Sequence, residues 1–310
     1  MKEDTKTNRT KLFVVVIGAG IAAGIGMAVI LAGLTIEKSE TTNARTVFWR
    51  HVHGLGVDPS DKSILYIATH GDFYQSVNGG PPIKVDEQRA DYMAFNAPYS
   101  AGAPLYASGH PATGGNTGLI RSTDGGKTWH QVATILDPPV DFHAMSVSKS
   151  DPNIIIGFDS ANRGLFRTAD GGQSWQRLDA PDYLSALAIS SSDSSVVFAG
   201  AGNGLYFSGD GGNTWSQSNS LKGDLVFALA FDEKGVLYAS VERLGLMRSH
   251  DHGQSWERLG TPELTVTSIA ADAQSGILYV AGYSAEGFQE VYKSSDEGAT
   301  WDLIGTNKEL

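Results

Sequence analysis

One eight-residue pattern recurs five times along the chain, and it constrains the fold more than any other feature. Ser/Thr-x-Asp-x-Gly-x-Ser/Thr-Trp occurs as Ser122–Trp129, Thr168–Trp175, Ser208–Trp215, Ser249–Trp256 and Ser294–Trp301. The aspartates are Asp124, Asp170, Asp210, Asp251 and Asp296, and the tryptophans are Trp129, Trp175, Trp215, Trp256 and Trp301. An eroded echo, Ser76-Val-Asn-Gly-Gly80, lies 46 residues before Asp124 and has lost both the Asp and the Trp. A period of 40–46 residues repeated six times means one supersecondary unit stacked on copies of itself.

Each unit has the same internal order. An apolar run such as His143–Val147 or Ala186–Ile189 comes first, and a second run such as Ile64–Ala68, Val236–Ala239 or Ile277–Val280 follows. A third short strand leads into the Asp-Gly turn, and the Trp opens a fourth. Short β-rich runs punctuated by Gly, Asp and Asn are strand and hairpin signals. Four strands per unit, six times, predict an all-β six-bladed β-propeller over residues 47–306, with a short tail at 307–310. The turn has a mechanical reading. The Asp and Ser/Thr side chains can hydrogen-bond backbone groups within the turn, the glycines permit left-handed backbone, and the Trp fills space between sheets. These residues are therefore expected to brace hairpins rather than to act on a ligand.

This repeat resembles the Asp-box (BNR) families, which include sialidases, xyloglucan-cleaving glycoside hydrolases, the sortilin luminal domain and a photosystem II assembly factor. His-Val-His-Gly near the start and Asp-Phe-His-Ala-Met later resemble bacterial exported propellers often labelled glycosylhydrolases. The resemblance implies the fold and is nearly silent on function, because those relatives do unrelated things.

The N-terminus reads differently. Residues 12–36 hold no charged side chain, and at about 1.5 Å per residue they are long enough to cross a hydrocarbon core of roughly 30 Å. Lys2, Lys6, Arg9 and Lys11 precede them, against Glu3 and Asp4. The positive-inside rule keeps residues 1–11 in the cytoplasm and sends the propeller outside, as a single-pass protein of the cell membrane. A cleaved signal peptide and a secreted domain are the alternative. Residues 37–46 read as a polar stalk.

The chain has no cysteine, so no disulfide framework supports the exported part. Its formal net charge is −11, and the first 36 residues carry four basic and two acidic groups, which leaves −13 on the rest. An acidic surface argues against nucleic acid or anionic lipid as a partner. No nucleotide cofactor is expected.

The histidines carry the sharpest functional signal. Aligning the first strands puts His53, Met93, His143, Ser185, Phe227 and Thr267 in one column, and His51, Asp91, Asp141, Tyr183, Leu225 and Thr265 in the column two residues earlier. His70 and His110 end the second strands of blades one and two. Five of eight histidines thus share one face of three consecutive blades, opposite the Asp-Gly turns. Imidazole with carboxylate suits zinc, copper or nickel, and a nearby thioether favours copper. The expected ligands are His51, His53, His143 and either His70 or His110, with Met93 as a soft extra ligand. Asp91 or Asp141 is expected to orient an imidazole from behind. His130, His250 and His252 lie elsewhere and read as structural or solvated.

Two other classes stay open. A glycoside hydrolase needs two carboxylates, and Asp91, Asp141, Asp159, Asp182 and Glu242 are available, though no pair stands out. The Arg-Ile-Pro signature that the resemblance would bring for a sialidase is absent. Five of the six tryptophans belong to the turns, leaving only Trp49 to line a polysaccharide cleft. A scaffold that grips another exported protein would use Tyr183, Leu225, Phe227 and Tyr283.

Overall fold

The computed structural model describes residues 45–97, 100–272 and 274–308. Every regular element among them is a β-strand, and the strands form six antiparallel sheets. Blade one runs from Val52 to Lys84, blade two from Ala90 to Ala133 and blade three from Phe142 to Leu178. Blade four runs from Leu184 to Gln217, blade five from Val226 to Arg258 and blade six from Leu264 to Thr306. Within each blade the four strands pair in chain order from the inside outward. The first strands of successive blades pack side by side, and that of blade six meets that of blade one, so the ring closes. The segment expected to cross the membrane, residues 12–36, lies outside the described residues. Among the described residues no helix is long and apolar enough to cross a membrane.

The core is not central. It is six separate apolar clusters, each lying at the junction of two neighbouring blades. Phe158, Leu165 and Leu178 of blade three, for example, pack against Leu184, Val197 and Ala201 of blade four. Two faces of each sheet are covered in this way, which is why the second strands read as continuous apolar runs rather than alternating ones. Where the inner strands converge there is little room. A Cβ on Gly54 would come within 2.7 Å of Phe95 Cβ, so that position admits nothing larger than hydrogen.

The five Asp-Gly turns share one hydrogen-bond circuit. In the blade-five copy, Ser249 Oγ donates to Asp251 Oδ1 (2.8 Å) and accepts from the Gly253 N–H (2.8 Å). Asp251 Oδ1 accepts from the Ser255 N–H (2.8 Å), and Oδ2 accepts from the Ser255 hydroxyl. The same four bonds recur at Asp124, Asp170, Asp210 and Asp296. Both oxygens of the carboxylate are engaged inside the turn. In the eroded copy of blade one, Ser76 Oγ instead donates to the Gly80 carbonyl (2.6 Å).

The ring is closed by residues assigned from sequence to the stalk and the tail. Arg45–Thr46 adds a fifth strand to blade six, parallel to Asp302–Thr306, in the register Arg45↔Gly305 and Thr46↔Thr306. Blade six thus takes in residues 45 and 46. It extends beyond 306 as well, since Asn307 donates its side-chain N–H to the Trp49 carbonyl (3.2 Å) and its backbone N–H to the Gln289 carbonyl (3.1 Å). A two-residue parallel strand has no periodicity, so nothing in the sequence could have marked it.

Candidate metal centre

Each second strand pairs at one end with the Ser or Thr of its turn, as in Leu105↔Ser122 and Ile155↔Thr168. Its other end therefore opens on the opposite face of the ring. On that face the His70 N–H donates to the His51 carbonyl (2.8 Å), Asp91 pairs with His110, and the Ser160 N–H donates to the Asp141 carbonyl (2.9 Å). These three pairs are the same step of blades one, two and three.

The column beside them marks a bulge. In five blades the first strand carries one extra residue at the same depth, and those residues are His53, His143, Ser185, Phe227 and Thr267. A bulge re-aims its side chain. Here the five, together with Ala94 of blade two, line a cavity of about 110 Å³ at the mouth of the central channel. Met93 was expected in that ring, but it pairs in regular register with Ser108, and the irregularity falls between Met93 and Asn96. Ala94, with a φ of 46°, takes the place. Asn96 holds the shifted bulge by donating to the Ala94 and Met145 carbonyls and accepting from the Val147 N–H. Spacing alone could not reveal this, because the blade-two bulge is displaced along the strand.

Two carboxylates organise the histidines into two groups. Asp91 Oδ1 lies 3.0 Å from His53 Nε2, and Asp91 Oδ2 lies 2.7 Å from His70 Nδ1. Asp141 Oδ2 lies 2.8 Å from His143 Nε2 and 3.2 Å from His110 Nε2. In each group three donor atoms fall within 4.8 Å of one another. The His53 and Asp91 side chains are 7% and 12% exposed, so this contact is nearly dry, while His70 reaches toward solvent. His70 and His110 are thus not alternatives, since each completes its own group. Asp91 and Asp141 are more than single orienting residues, because each touches two imidazoles. His51 belongs to neither group. Its ring centroid is 4.5 Å from that of His53 and 5.3 Å from that of Tyr283.

The electrostatics follow from this packing. Burial pushes the Asp91 carboxyl upward, but the hydrogen bond from His53 and the charges of His53, His70 and His110 outweigh it and hold the group below the usual range. Asp141 is treated in the same way, with burial opposed by His143, Ser160 and His110. Burial, then the neighbouring His53, lowers His51 to about 4 against the pull of Asp91, so it is a neutral imidazole at physiological pH.

Asp141 is also positioned from behind, by Asp159 and by Ser160, which the sequence reading passed over. Ser160 Oγ donates to Asp141 Oδ2 (2.8 Å), and the Asp141 N–H is received by Asp159 Oδ1 (2.9 Å). Asp159 is in turn gripped by Arg163 Nε and Nη2, each at 2.8 Å. Ser160 occupies the blade-three counterpart of His70 and His110, so strand alignment was the signal that could have found it. Asp141 Oδ1 is buried and has no donor among the described residues. Of the residues named for gripping another protein, Tyr183 is 51% exposed, Tyr283 lies against His51, and Phe227 faces the channel mouth.

Comparison with known proteins agrees with this architecture. A family model described as Sortilin, neurotensin receptor 3 matches residues 117–243. No curated protein sequence matches the chain. Among solved structures, the chain is similar to a GH74 xyloglucanase from Xanthomonas campestris, with 16% identity over 85% of this chain and a TM-score of 0.54. It is similar to a GH74 enzyme of Niastella koreensis, with 17% identity over 84% and a TM-score of 0.58. The chain spans less than half the length of either, covering 46% of each. A gluconolactonase from Xanthomonas campestris aligns over 78% of this chain and 85% of its own, at 16% identity and a TM-score of 0.59. At such identities the likeness is one of fold. With five interlocked Asp-Gly turns and six closed blades, the chain has the fold of a six-bladed Asp-box β-propeller, and residues 117–243 match the sortilin family model.

Proposed function

We propose that this propeller binds divalent transition metal, zinc or copper(II), at the two His–Asp–His groups, and that residues 12–36 hold it on the outer side of the membrane. The observation that carries the reading is His110. Its Nδ1 faces the Gly115 carbonyl at 3.1 Å and its Nε2 faces Asp141 Oδ2 at 3.2 Å. Both are acceptors, and a neutral imidazole has only one N–H. A metal ion seated between Nε2 and the carboxylate would answer both contacts. A metal also gives the Nδ1–H to carbonyl contact the role that fixes a ligating imidazole in other sites.

The spacings suit an ion. Tetrahedral zinc with N and O ligands at about 2.0–2.2 Å sets its donors roughly 3.4 Å apart, so the present contacts need only a small opening. Two imidazoles and a carboxylate leave one position for water or for a ligand to be handed on. A glycoside hydrolase is less well served. Its general acid requires a raised pKa, whereas Asp91, Asp141 and Asp159 are all held below the usual range. Arg163 and Arg243 are engaged by Asp159 and Asp224 and are not free to clamp a substrate carboxylate.

The test is metal content of the purified full chain after dialysis against zinc and copper(II) separately. Wild type is expected to retain up to two equivalents, Asp91→Asn and Asp141→Asn one each, and the double variant none. Folded wild type that retains no stoichiometric metal, or an Asp91→Asn/Asp141→Asn protein that retains all of it, would refute the reading.

A further inference from the structure

The repeat provides its own control, because each blade junction can be compared with the others. On the turn side of the ring, the residue just before the turn's Ser or Thr meets the turn of the next blade. Gln75 Nε2 donates to the Gly125 carbonyl (2.9 Å), Arg167 Nε lies 3.2 Å from the Cβ position of Gly211, and Arg248 Nη1 donates to Glu297 Oε2 (3.0 Å). Lys293 closes the series within 3.4 Å of the Cβ position of Gly79. In sequence the series is Gln75, Arg121, Arg167, Phe207, Arg248 and Lys293. Only blade four presents an apolar ring.

The residue three after the Trp changes at the same junction. It is Val132, Leu178, Leu259 and Ile304 in the other blades that keep the Trp, and Ser218 in blade four. Elsewhere this side chain packs under the second turn glycine of the next blade. The Cβ positions of Gly172, Gly212 and Gly298 lie 3.1, 3.4 and 3.6 Å from Val132, Leu178 and Leu259. The nearest neighbours of Gly253 are instead Phe198, Leu205 and Trp256. The third departure is His252. It holds a left-handed φ of 55° where three other turns have Gly, and the remaining one has Glu297, paired with Arg248. Such a conformation is uncommon for a residue with a Cβ.

These three substitutions line one cavity of about 390 Å³ between blades four and five. Phe198 and Phe207 wall it with rings 5.3 Å apart, His252 and Ser218 stand at its rim, and no Asp, Glu, Lys or Arg is among the described residues that line it. Ser220 is already engaged, donating to the Gly253 carbonyl (2.9 Å) and accepting from Trp256 Nε1 (3.1 Å). The Ser218 hydroxyl, 2.8 Å from Ser220 Oγ, keeps hydrogen-bonding capacity for a guest. The volume lies in the range of small-molecule sites, whose aromatic walls carry placed polar groups, as Ser218, Asn219, His252 and Gln254 are here.

We infer that the junction of blades four and five binds a small uncharged molecule with one or two fused aromatic rings and a hydrogen-bonding group. The site is separate from the histidine face and does not depend on metal. Indole, titrated into the full chain and followed by saturation-transfer NMR, is the probe. Saturable binding to wild type is expected. Ser218→Leu, which restores the side chain of the sister blades, is expected to weaken it by about tenfold or more. Phe207→Arg is expected to do the same by a second route, should Ser218→Leu fold poorly. Wild type that does not bind indole saturably would overturn the inference, as would folded variants that bind it unchanged.

Discussion

Gln289 is the residue on which ring closure and the histidine face meet. Its side chain is fully buried, and Oε1 accepts the Val52 N–H at 2.8 Å. Val52 stands between His51 and His53. Around the same residue, the Gln289 carbonyl accepts from Trp49 Nε1 (3.1 Å), and its N–H donates to Asn307 Oδ1 (2.8 Å). Those last two bonds belong to the backbone of residue 289 and survive any substitution there. Gln289→Leu fills the same space with an apolar side chain and removes the carboxamide, Oε1 and Nε2 together. It leaves the buried Val52 N–H without a partner, which costs about 1–3 kcal/mol. Gln289 Nε2 already has no acceptor among the described residues, so its loss offsets part of that cost. A central value of about 2 kcal/mol corresponds to a fall of about 4–8 °C in Tm for a domain of this size.

Urea unfolding followed by tryptophan fluorescence measures the stability directly, since Trp49 lies buried at the same node. The second readout is metal. Loosening Val52 is expected to weaken the group of His53, His70 and Asp91 while leaving that of His110, Asp141 and His143 intact. A Gln289→Leu protein within about 0.5 kcal/mol of wild type, with both metal equivalents unchanged, would show that the bond to Val52 holds neither the ring nor the site.

Other outcomes follow from the turns. Ser249→Ala removes the acceptor of the buried Gly253 N–H, and a loss of about 1–3 kcal/mol is expected in the same unfolding assay. The hydroxyls of Thr214, Ser255 and Thr300, with the backbone N–H groups beside them, lower Asp210, Asp251 and Asp296 from 3.8 to about 2. A folded pKa below the unfolded one stabilises fully above the unfolded value, and that stabilisation is lost as pH falls from near 4 through about 2. Urea midpoints at pH 5 and pH 2.5 should therefore differ less in an Asp210→Asn/Asp251→Asn/Asp296→Asn variant than in wild type. Leu178→Ser is expected to open at the blade three and four junction a cavity like the one beside Ser218, with a loss of about 2–5 kcal/mol.

The fold was legible because the turn is both local and repeated. Ser249, Asp251, Gly253, Ser255 and Trp256 satisfy one another within eight residues, so their spacing is the structure. Closure was not legible for the opposite reason. Arg45–Thr46 pairs with Gly305 and Thr306, and Asn307 reaches Trp49, both more than 200 residues away in sequence, and neither contact leaves a pattern. The histidine face lies between these cases. Strand alignment brought His51, His53, Asp91, Asp141 and His143 to one face because side-chain direction alternates along a strand. It could not say which imidazole meets which carboxylate, since that depends on bulge depth, and the displaced bulge of blade two exchanged Met93 for Ala94 at the channel mouth.

A repeat protein tells function from stability in a way that a single-copy domain does not. Residues that recur at equivalent positions answer a demand that every blade shares, as the turn aspartates and Trp do. Residues that break the recurrence answer a demand of one place. By that criterion the chain has two such places. On one face, His70 and His110 end second strands where blade three has Ser160, and Asp91 and Asp141 occupy a step held by Tyr183, Leu225 and Thr265 in the later blades. On the other, Phe207, Ser218 and His252 depart together at one junction. The first set is polar and converges on two carboxylates, which is chemistry for a cation. The second removes a charge and an apolar plug and leaves aromatic walls, which is chemistry for an uncharged ring. The same scaffold therefore separates a face of paired histidines and carboxylates from an apolar niche on the side of the turns.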